Sequence, residues 1–557
     1  MGVLHGLRLL ASLLLLLLAL PFALVGWAWV CLRRMGPCAL VGAFLGLSWN
    51  AVIVLEPLNG RHAVIGLLLG ALVGLVVALV ELIGPAFSGR AAPGTSHGSA
   101  AWASRRALRQ GLAAPALARD PAALLVGRDP GRRGGLLRHA GPAHLLTIAP
   151  TRSGKGVGTV LPNLLLADRA ILCVDPKGEN ARISARARRR FGPVFVLDPF
   201  GVSGQPASAF DPAGLLDAGS PDLADDATTL ADALVFDPPG QVSDAHWNEE
   251  AKALISGLLL HLACRGAPGQ RGLPALRRLL TLPPGDWQAL LRAMLADTAA
   301  AGGLVSRAAA RQLGKADREA AGVLSSAQRH THLLDSPRLT ASMSRTDFQW
   351  SDLRQGSATV FLVLPPDRLT TYSRWLRLLI AQGIQQLART PQRPNTPPVL
   401  LLLDEFAALG RLEPVLQAAG LMAGLGLQLW PILQDLAQLR AAYGPSAATF
   451  LANAGLIQVS APADLDTAQW LSRALGNSTV VFETGSTSRS IPDNPEGHGS
   501  SSHSSSTQLT GRPLLNPDEA MRLHPDRQVL LRPGQRPAFT AKLRHYEDKE
   551  FAGLADS

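Results

Sequence analysis

The chain has 557 residues, 53 basic against 42 acidic side chains and a formal charge of +11. That length supplies apolar core for several domains, so the fold needs neither disulfides nor a structural metal. The four cysteines (Cys31, Cys38, Cys173, Cys264) lack the spacing of a disulfide framework or a zinc site, and they fit a reducing compartment for the main body. The basic balance is compatible with nucleic acid or anionic lipid. Arginine far outnumbers lysine, however, as a GC-rich genome also produces, so charge alone decides little.

The first ninety residues carry the apolar excess. Residues 7–32 are almost uninterrupted Leu, Ala, Val and aromatics, longer than the roughly 20 residues that cross a hydrocarbon core. A cleaved signal would have a shorter apolar region and a small-residue cleavage site, whereas this run continues through Trp27 and Trp29 to Arg33 and Arg34. Further apolar runs cover 38–55 and 63–83. Arg33 and Arg34 lie between the first two runs, and Arg90, Arg105, Arg106 and Arg109 follow the third. With three spans, the positive-inside rule places the N-terminus outside and everything after residue 90 in the cytoplasm. The second run contains Ser48 and Asn50, so a two-span alternative exposes residues 33–62 outside. Both readings put the large domain in the cytoplasm.

Residues 144–149 predict a short buried strand, followed at once by a glycine-bearing loop and a mainly apolar segment at 160–166. Strand, loop, lysine and helix is the arrangement that wraps backbone N–H groups around phosphates at a helix N-terminus. The predicted cradle is Ala149, Pro150, Thr151, Arg152, Ser153, Gly154, Lys155, Gly156 and Val157, with Lys155 reaching the β/γ-phosphates. It departs from GxxxxGK[ST] at both ends. Ala149 replaces the first glycine, and Gly156 replaces the hydroxyl residue that ordinarily ligates Mg²⁺.

Apolar strands ending in acids or amides then recur: 170–175 ending at Asp175, 194–198 at Asp198, 359–364 before Asp367, and 426–433 before Gln434. The strongest is 398–403, running into Asp404 and Glu405. Such runs predict one parallel sheet whose C-terminal edge is the active edge. Asp404 is suited to hold Mg²⁺, Glu405 to polarise an attacking water, and Gln434 to orient that water or sense the γ-phosphate. With the lysine loop in the same chain, these residues predict an ATPase using ATP and Mg²⁺.

A helix is expected from 244 to 264, with His246 and Trp247 as packing and capping residues. Residues 265–340 have no strand character and predict helices at 274–282, 286–300, 304–313 and 315–331. The many arginines there read as solvated helix faces or as a DNA- or cargo-contacting surface. Residues 477–509, with the flexible part at 483–510, are Ser-, Thr- and Gly-rich and predict a mobile loop. Alternation at 528–531 and 538–543 predicts edge strands completing the domain.

These segments together resemble the VirD4/TraG family of type IV secretion coupling proteins. The resemblance rests on Ala-Pro-Thr-Arg-Ser-Gly-Lys-Gly-Val-Gly at 149–158, Val-Asp-Pro-Lys-Gly-Glu-Asn at 174–180 and Leu-Asp-Pro-Phe at 197–200. It continues with Leu-Asp-Glu-Phe-Ala-Ala-Leu-Gly-Arg-Leu at 403–412, Gln-Asp-Leu-Ala-Gln-Leu-Arg-Ala-Ala-Tyr-Gly at 434–444 and Arg-Pro-Leu-Leu-Asn-Pro-Asp-Glu-Ala-Met-Arg-Leu at 512–523. It covers residues 140–550 in order, and the family shares the glycine after the lysine. The resemblance implies an α/β fold: a RecA-like P-loop NTPase domain at 141–264 and 341–557, with an all-α domain inserted at 265–340. N-terminal transmembrane helices at 1–90 precede it, followed at 91–140 by a linker and the start of the nucleotide-binding domain. It also implies a multi-pass protein of the bacterial inner membrane, a homo-hexamer, and a neighbour's arginine at each site, for which Arg411 and Arg440 are both candidates. The implied partners are single-stranded DNA bound without sequence specificity, a relaxase or protein effectors, and the channel components. The alternatives are a docking adaptor with little motor activity and a DNA-segregating translocase of related architecture.

Overall fold

The computed structural model describes residues 95–131, 134–236, 245–267, 269–490 and 500–556; the three apolar N-terminal runs lie outside them. The chain divides into two compact units, one of residues 98–478 with 512–557, the other of residues 1–97 with 479–511.

The larger unit is built on an eleven-stranded sheet. In chain order its strands are β1 (Leu124–Arg128), β2 (Leu136–His139), β3 (His144–Ile148), β4 (Ile171–Asp175), β5 (Val194–Leu197), β6 (Thr359–Val363), β7 (Val399–Leu403), β8 (Leu427–Leu433) and β9 (Ala454–Ser460). After β10 (Asn477–Ser490) and β11 (Ser500–Pro513) come β12 (Arg527–Leu531) and β13 (Ala538–Ala541). The spatial order is β2-β1-β13-β12-β9-β3-β8-β7-β4-β6-β5. From β9 to β5 every pairing is parallel, and from β9 outward through β12, β13, β1 and β2 every pairing is antiparallel.

The parallel strands are buried on both faces, which is why they read as unbroken apolar runs. Alternation divides β7 cleanly: Leu401 and Leu403 join one core cluster, Leu400 and Leu402 another. The first cluster also holds Leu230, Leu258, Leu276 and Val323 from the helices between β5 and β6. Among the described residues the long helices of this interval begin at Leu223–Leu234 and Ala245–Arg265 and continue to Pro337–Ser342. The strandless region is therefore longer than the expected 265–340. Within it, helices at Leu273–Leu280, Pro284–Ala296, Leu304–Leu313 and Asp317–Thr331 match the expected segments to within a turn or so. Trp247 packs, as expected, with its ring against Gly322, where a Cβ would stand 2.6 Å from it.

Residues 91–140 contribute β1 and β2 to the sheet. Two expectations need correction. The strands β12 and β13 are interior rather than edges: β1 and β2 cover them, and the edges are β2 and β5. The Ser-rich segment is not an irregular loop either. Its described residues form the two 14-residue strands β10 and β11, paired in a two-stranded sheet. Low hydrophobicity there reflects exposure of both faces, as at Phe482 and Leu509, rather than lack of pairing.

Candidate nucleotide site

Parallel pairing sets Ile148 beside Leu433, Leu403 beside Pro431, and Val174 beside Leu403. The C-terminal ends of β3, β8, β7 and β4 thus stand side by side, and the residues just beyond them converge. Ala149 N–H donates to the Leu433 carbonyl at 2.9 Å, fastening the loop's first residue to the neighbouring strand. The loop then turns through left-handed backbone at Arg152 (φ 63°) and Gly154 (φ 83°). It enters a helix whose first turn is widened: Leu161 N–H reaches back five residues to the Gly156 carbonyl.

The four residues expected to perform chemistry meet here. Lys155 Nζ donates to Glu405 Oε1 at 2.5 Å and stands 3.9 Å from Asp404 Oδ1. Gln434 Nε2 donates to Glu405 Oε2 at 3.0 Å, and Thr151 Oγ1 donates to Gln434 Oε1 at 3.0 Å. A continuous chain of contacts therefore runs from the loop through Gln434 and Glu405 to Lys155. Glu405 adopts a left-handed backbone (φ 50°, ψ 41°), a conformation that costs a non-glycine residue about 1–2 kcal/mol. Its N–H donates back to Asp404 Oδ1 at 3.0 Å. That bend separates the two carboxylates, leaving Asp404 deep at the strand end and Glu405 forward against Lys155.

The electrostatics mark the same spot. Burial raises the Asp404 carboxyl above its ordinary range, with Glu405 adding to the shift and Lys155 opposing it. Burial likewise lifts Asp175 to about 7, against hydrogen bonds from the Ala181, Asn180 and Lys177 backbone. Ala181 N–H reaches Asp175 Oδ2 at 2.8 Å. Acids held this far from ordinary solvation concentrate at functional sites.

The residues fit a bound nucleotide and cation. Ser153 Oγ is buried without a partner, and a Cβ added at Gly156 would meet nothing within 4 Å, so the loop is open where phosphate oxygens belong. Among the described residues no three His, Cys, Asp or Glu side chains cluster as a metal site. A single deep carboxylate, Asp404, suits Mg²⁺, which commonly takes one or two carboxylates and completes its shell with phosphates and water.

Of the two arginine candidates, Arg411 pairs with Glu413 at 3.0 Å and Arg440 pairs with Asp466, so both have acidic partners within the chain. The sequence reading missed Lys542 and His545. Lys542 Nζ donates to the Ser153 carbonyl at 2.7 Å, and His545 N–H donates to the Val157 carbonyl at 3.3 Å. Nearly 390 positions separate these partners, and no local pattern signals the contact.

A lysine loop at the C-terminal end of a parallel strand, faced by paired acids from the next strand but one, defines a P-loop nucleotide-binding fold. The family model for type IV secretory conjugative DNA transfer matches residues 113–555. This chain belongs to that family, as a coupling protein of the VirD4/TraG kind. Among its relatives, conjugal transfer protein TraG of Escherichia coli is 29% identical over 492 residues, 81% of this chain and 76% of that one. Protein VirD4 of Rhizobium rhizogenes is 29% identical over 426 residues, 75% of this chain and 60% of that one. Among solved structures, the conjugative coupling protein TrwBΔN70 in complex with sulphate aligns with a TM-score of 0.59 at 19% identity. That alignment covers 79% of this chain and 93% of the other. TrwB bound to ADP and Mg²⁺ aligns at TM-score 0.53 with 19% identity, covering 72% of this chain and 85% of the other. The fold is shared with these coupling proteins.

Proposed function

We propose that this chain binds ATP with Mg²⁺ at residues 149–157 and hydrolyses it to drive substrate into a type IV secretion channel. The observation that carries the reading is the convergence of Lys155, Glu405 and Gln434 within hydrogen-bonding distance, beside partly buried Asp404. Relatives bearing conjugal-transfer names and a like fold that holds ADP and Mg²⁺ support it.

Each residue has a defined task. Backbone N–H groups of the loop and the ammonium of Lys155 bind phosphate oxygens. Asp404 would hold Mg²⁺, which when bound supplies charge neutralisation between the phosphates. Glu405, released from Lys155 once phosphate competes for that ammonium, accepts a hydrogen bond from the attacking water and takes its proton. Gln434, already on Glu405 Oε2 and on Thr151, fixes the carboxylate's orientation.

The rest of the reading follows the family. N-terminal helices anchor the chain in the bacterial inner membrane, copies assemble as a homo-hexamer, and the substrate is single-stranded DNA with its relaxase, protein effectors, or both. In this reading DNA contact is non-specific and salt-dependent.

Two variants of the full chain test the catalytic part. Lys155→Ala is expected to abolish ATPase activity and transfer while leaving membrane insertion intact. Glu405→Gln should keep nucleotide binding and lose about 100-fold or more in turnover, the scale of a removed general base. Undiminished hydrolysis in both variants, or DNA transfer unchanged in Lys155→Ala, overturns the motor role.

A further inference from the structure

The P-loop is held from outside by the chain's last strand and the turn after it. β13 pairs with β12 in a register that sets Ala541 opposite Arg527. Lys542, the next residue, donates its own N–H to the Asp526 carbonyl at 2.9 Å. Its side chain then crosses to the loop, where Nζ donates to the Ser153 carbonyl at 2.7 Å. Leu543 follows against the first helical turn: a Cβ added at Gly158 would stand 2.7 Å from the Leu543 carbonyl oxygen. His545 then approaches the Val157 carbonyl with its backbone N–H at 3.3 Å and with Nδ1 at 3.2 Å.

Local chemistry explains why an outside partner is present at Val157. In the widened turn the Gly156 carbonyl accepts from the N–H five residues on, that of Leu161. The corresponding partner of Val157 is residue 162, and Pro162 has no N–H. A carbonyl shielded from water and left without a donor is costly; Val157 is partly buried, and His545 supplies its donor.

The contact at Ser153 has a direct consequence for the site. In a trans peptide the carbonyl of one residue and the N–H of the next point in opposite directions. Drawing the Ser153 carbonyl outward onto Lys542 turns the Gly154 N–H inward, and Gly154 sits at φ 83°, where the loop curls around its centre. We infer that Lys542 is a positioning residue of the nucleotide site, clamping the Ser153–Gly154 peptide so that its N–H faces the phosphates. Burial holds the Lys542 ammonium down to about 8, with Asp526 opposing the shift and Arg544 adding to it. The inference rests on the nucleotide reading of the loop and adds to it a residue from the opposite end of the chain.

The test uses the full chain with ADP as probe, with and without Mg²⁺, and reads the dissociation constant alongside the melting temperature of the nucleotide-free protein. Lys542→Met should weaken ADP binding about tenfold or more, the scale of one charge-assisted contact, with the nucleotide-free melting temperature close to wild type. Lys542→Arg keeps a charged donor and should return affinity to within about threefold of wild type. Lys542→Gln, a neutral donor of milder size change, should fall between them and serves if the methionine variant does not fold. The inference is overturned if Lys542→Met or Lys542→Gln binds ADP within about twofold of wild type. It is also overturned if the methionine and arginine variants lose affinity equally and in step with their melting temperatures. Wild-type protein that binds no ADP would overturn the nucleotide reading itself, and Lys155→Ala run in parallel tells the two failures apart.

Discussion

Asp175 shows how far a single side chain departs from its solution chemistry in this site. It is 1% exposed, and burial lifts its carboxyl from 3.8 to about 7. Below the ordinary carboxylate range both folded and unfolded chains carry the proton, and the group costs nothing. Between about 4 and about 7 the unfolded chain releases that proton while the folded one keeps it, so stability falls as pH rises, and the loss is complete above about 7. Asp175→Asn cannot ionise. Chemical unfolding of the nucleotide-free protein at pH 5 and at pH 8 should therefore show the variant gaining on wild type at the higher pH. A wild-type-minus-variant difference that is flat across that interval would sink the assignment. Asp404 shares the direction of shift and its cause, so its neighbour Glu405 faces Lys155 while Asp404 remains the desolvated acid that a divalent cation would relieve.

At the scale of elements, the junction between the helix after the P-loop and the turn after β13 allows no side chain. Gly158 is buried, and a methyl group there would press on the Leu543 carbonyl at 2.7 Å, a backbone atom fastened on either side by Lys542 and His545. Gly158→Ala should cost about 1–3 kcal/mol, the usual penalty of overpacking, measured by denaturant midpoint. Because the strain falls on the segment bearing Lys542, the same variant should also weaken ADP binding. Full stability and full affinity together would show that the turn yields freely. The elements themselves were largely legible in the sequence: β3, β4, β5, β6, β7 and β8 lie within a residue or so of the expected apolar runs. Parallel strands buried on both faces carry their signal in the run itself. β9 and the pair β1–β2 escaped because Gly455, Gln458, Gly127 and Arg138 interrupt their apolar pattern. Gln458 and Gln528 bond each other inside the sheet at 2.6 Å, so what reads as surface polarity is a buried hydrogen bond.

For the whole molecule, the paired strands β10 and β11 pose a separate question. Ser478 Oγ donates to the Arg512 carbonyl at 3.3 Å, and Leu514 N–H to the Gly476 carbonyl at 2.9 Å, so the ribbon's two ends leave the larger unit side by side. Residues 479–511 belong with the other compact unit. Replacing them with a two-residue hairpin turn should leave ADP affinity within about twofold of wild type, since short turns close adjacent antiparallel strands without strain. Loss of ADP binding in that variant would show that the ribbon supports the nucleotide fold.

The sequence by itself indicated which residues meet at the candidate site. Lys155, Asp404, Glu405 and Gln434 follow apolar runs whose ends meet in any parallel sheet, because parallel strands bring like ends together. It likewise determined the class of fold and the family. Tertiary structure alone decided how those groups pair: that Glu405 bends into left-handed backbone to reach Lys155, and that Gln434 bridges it to Thr151. It alone set β12 and β13 inside the sheet and brought Lys542 and His545 onto the P-loop. Such contacts join residues hundreds of positions apart through single hydrogen bonds. They leave no periodicity in the chain, and only the closing of the sheet brings their ends within reach.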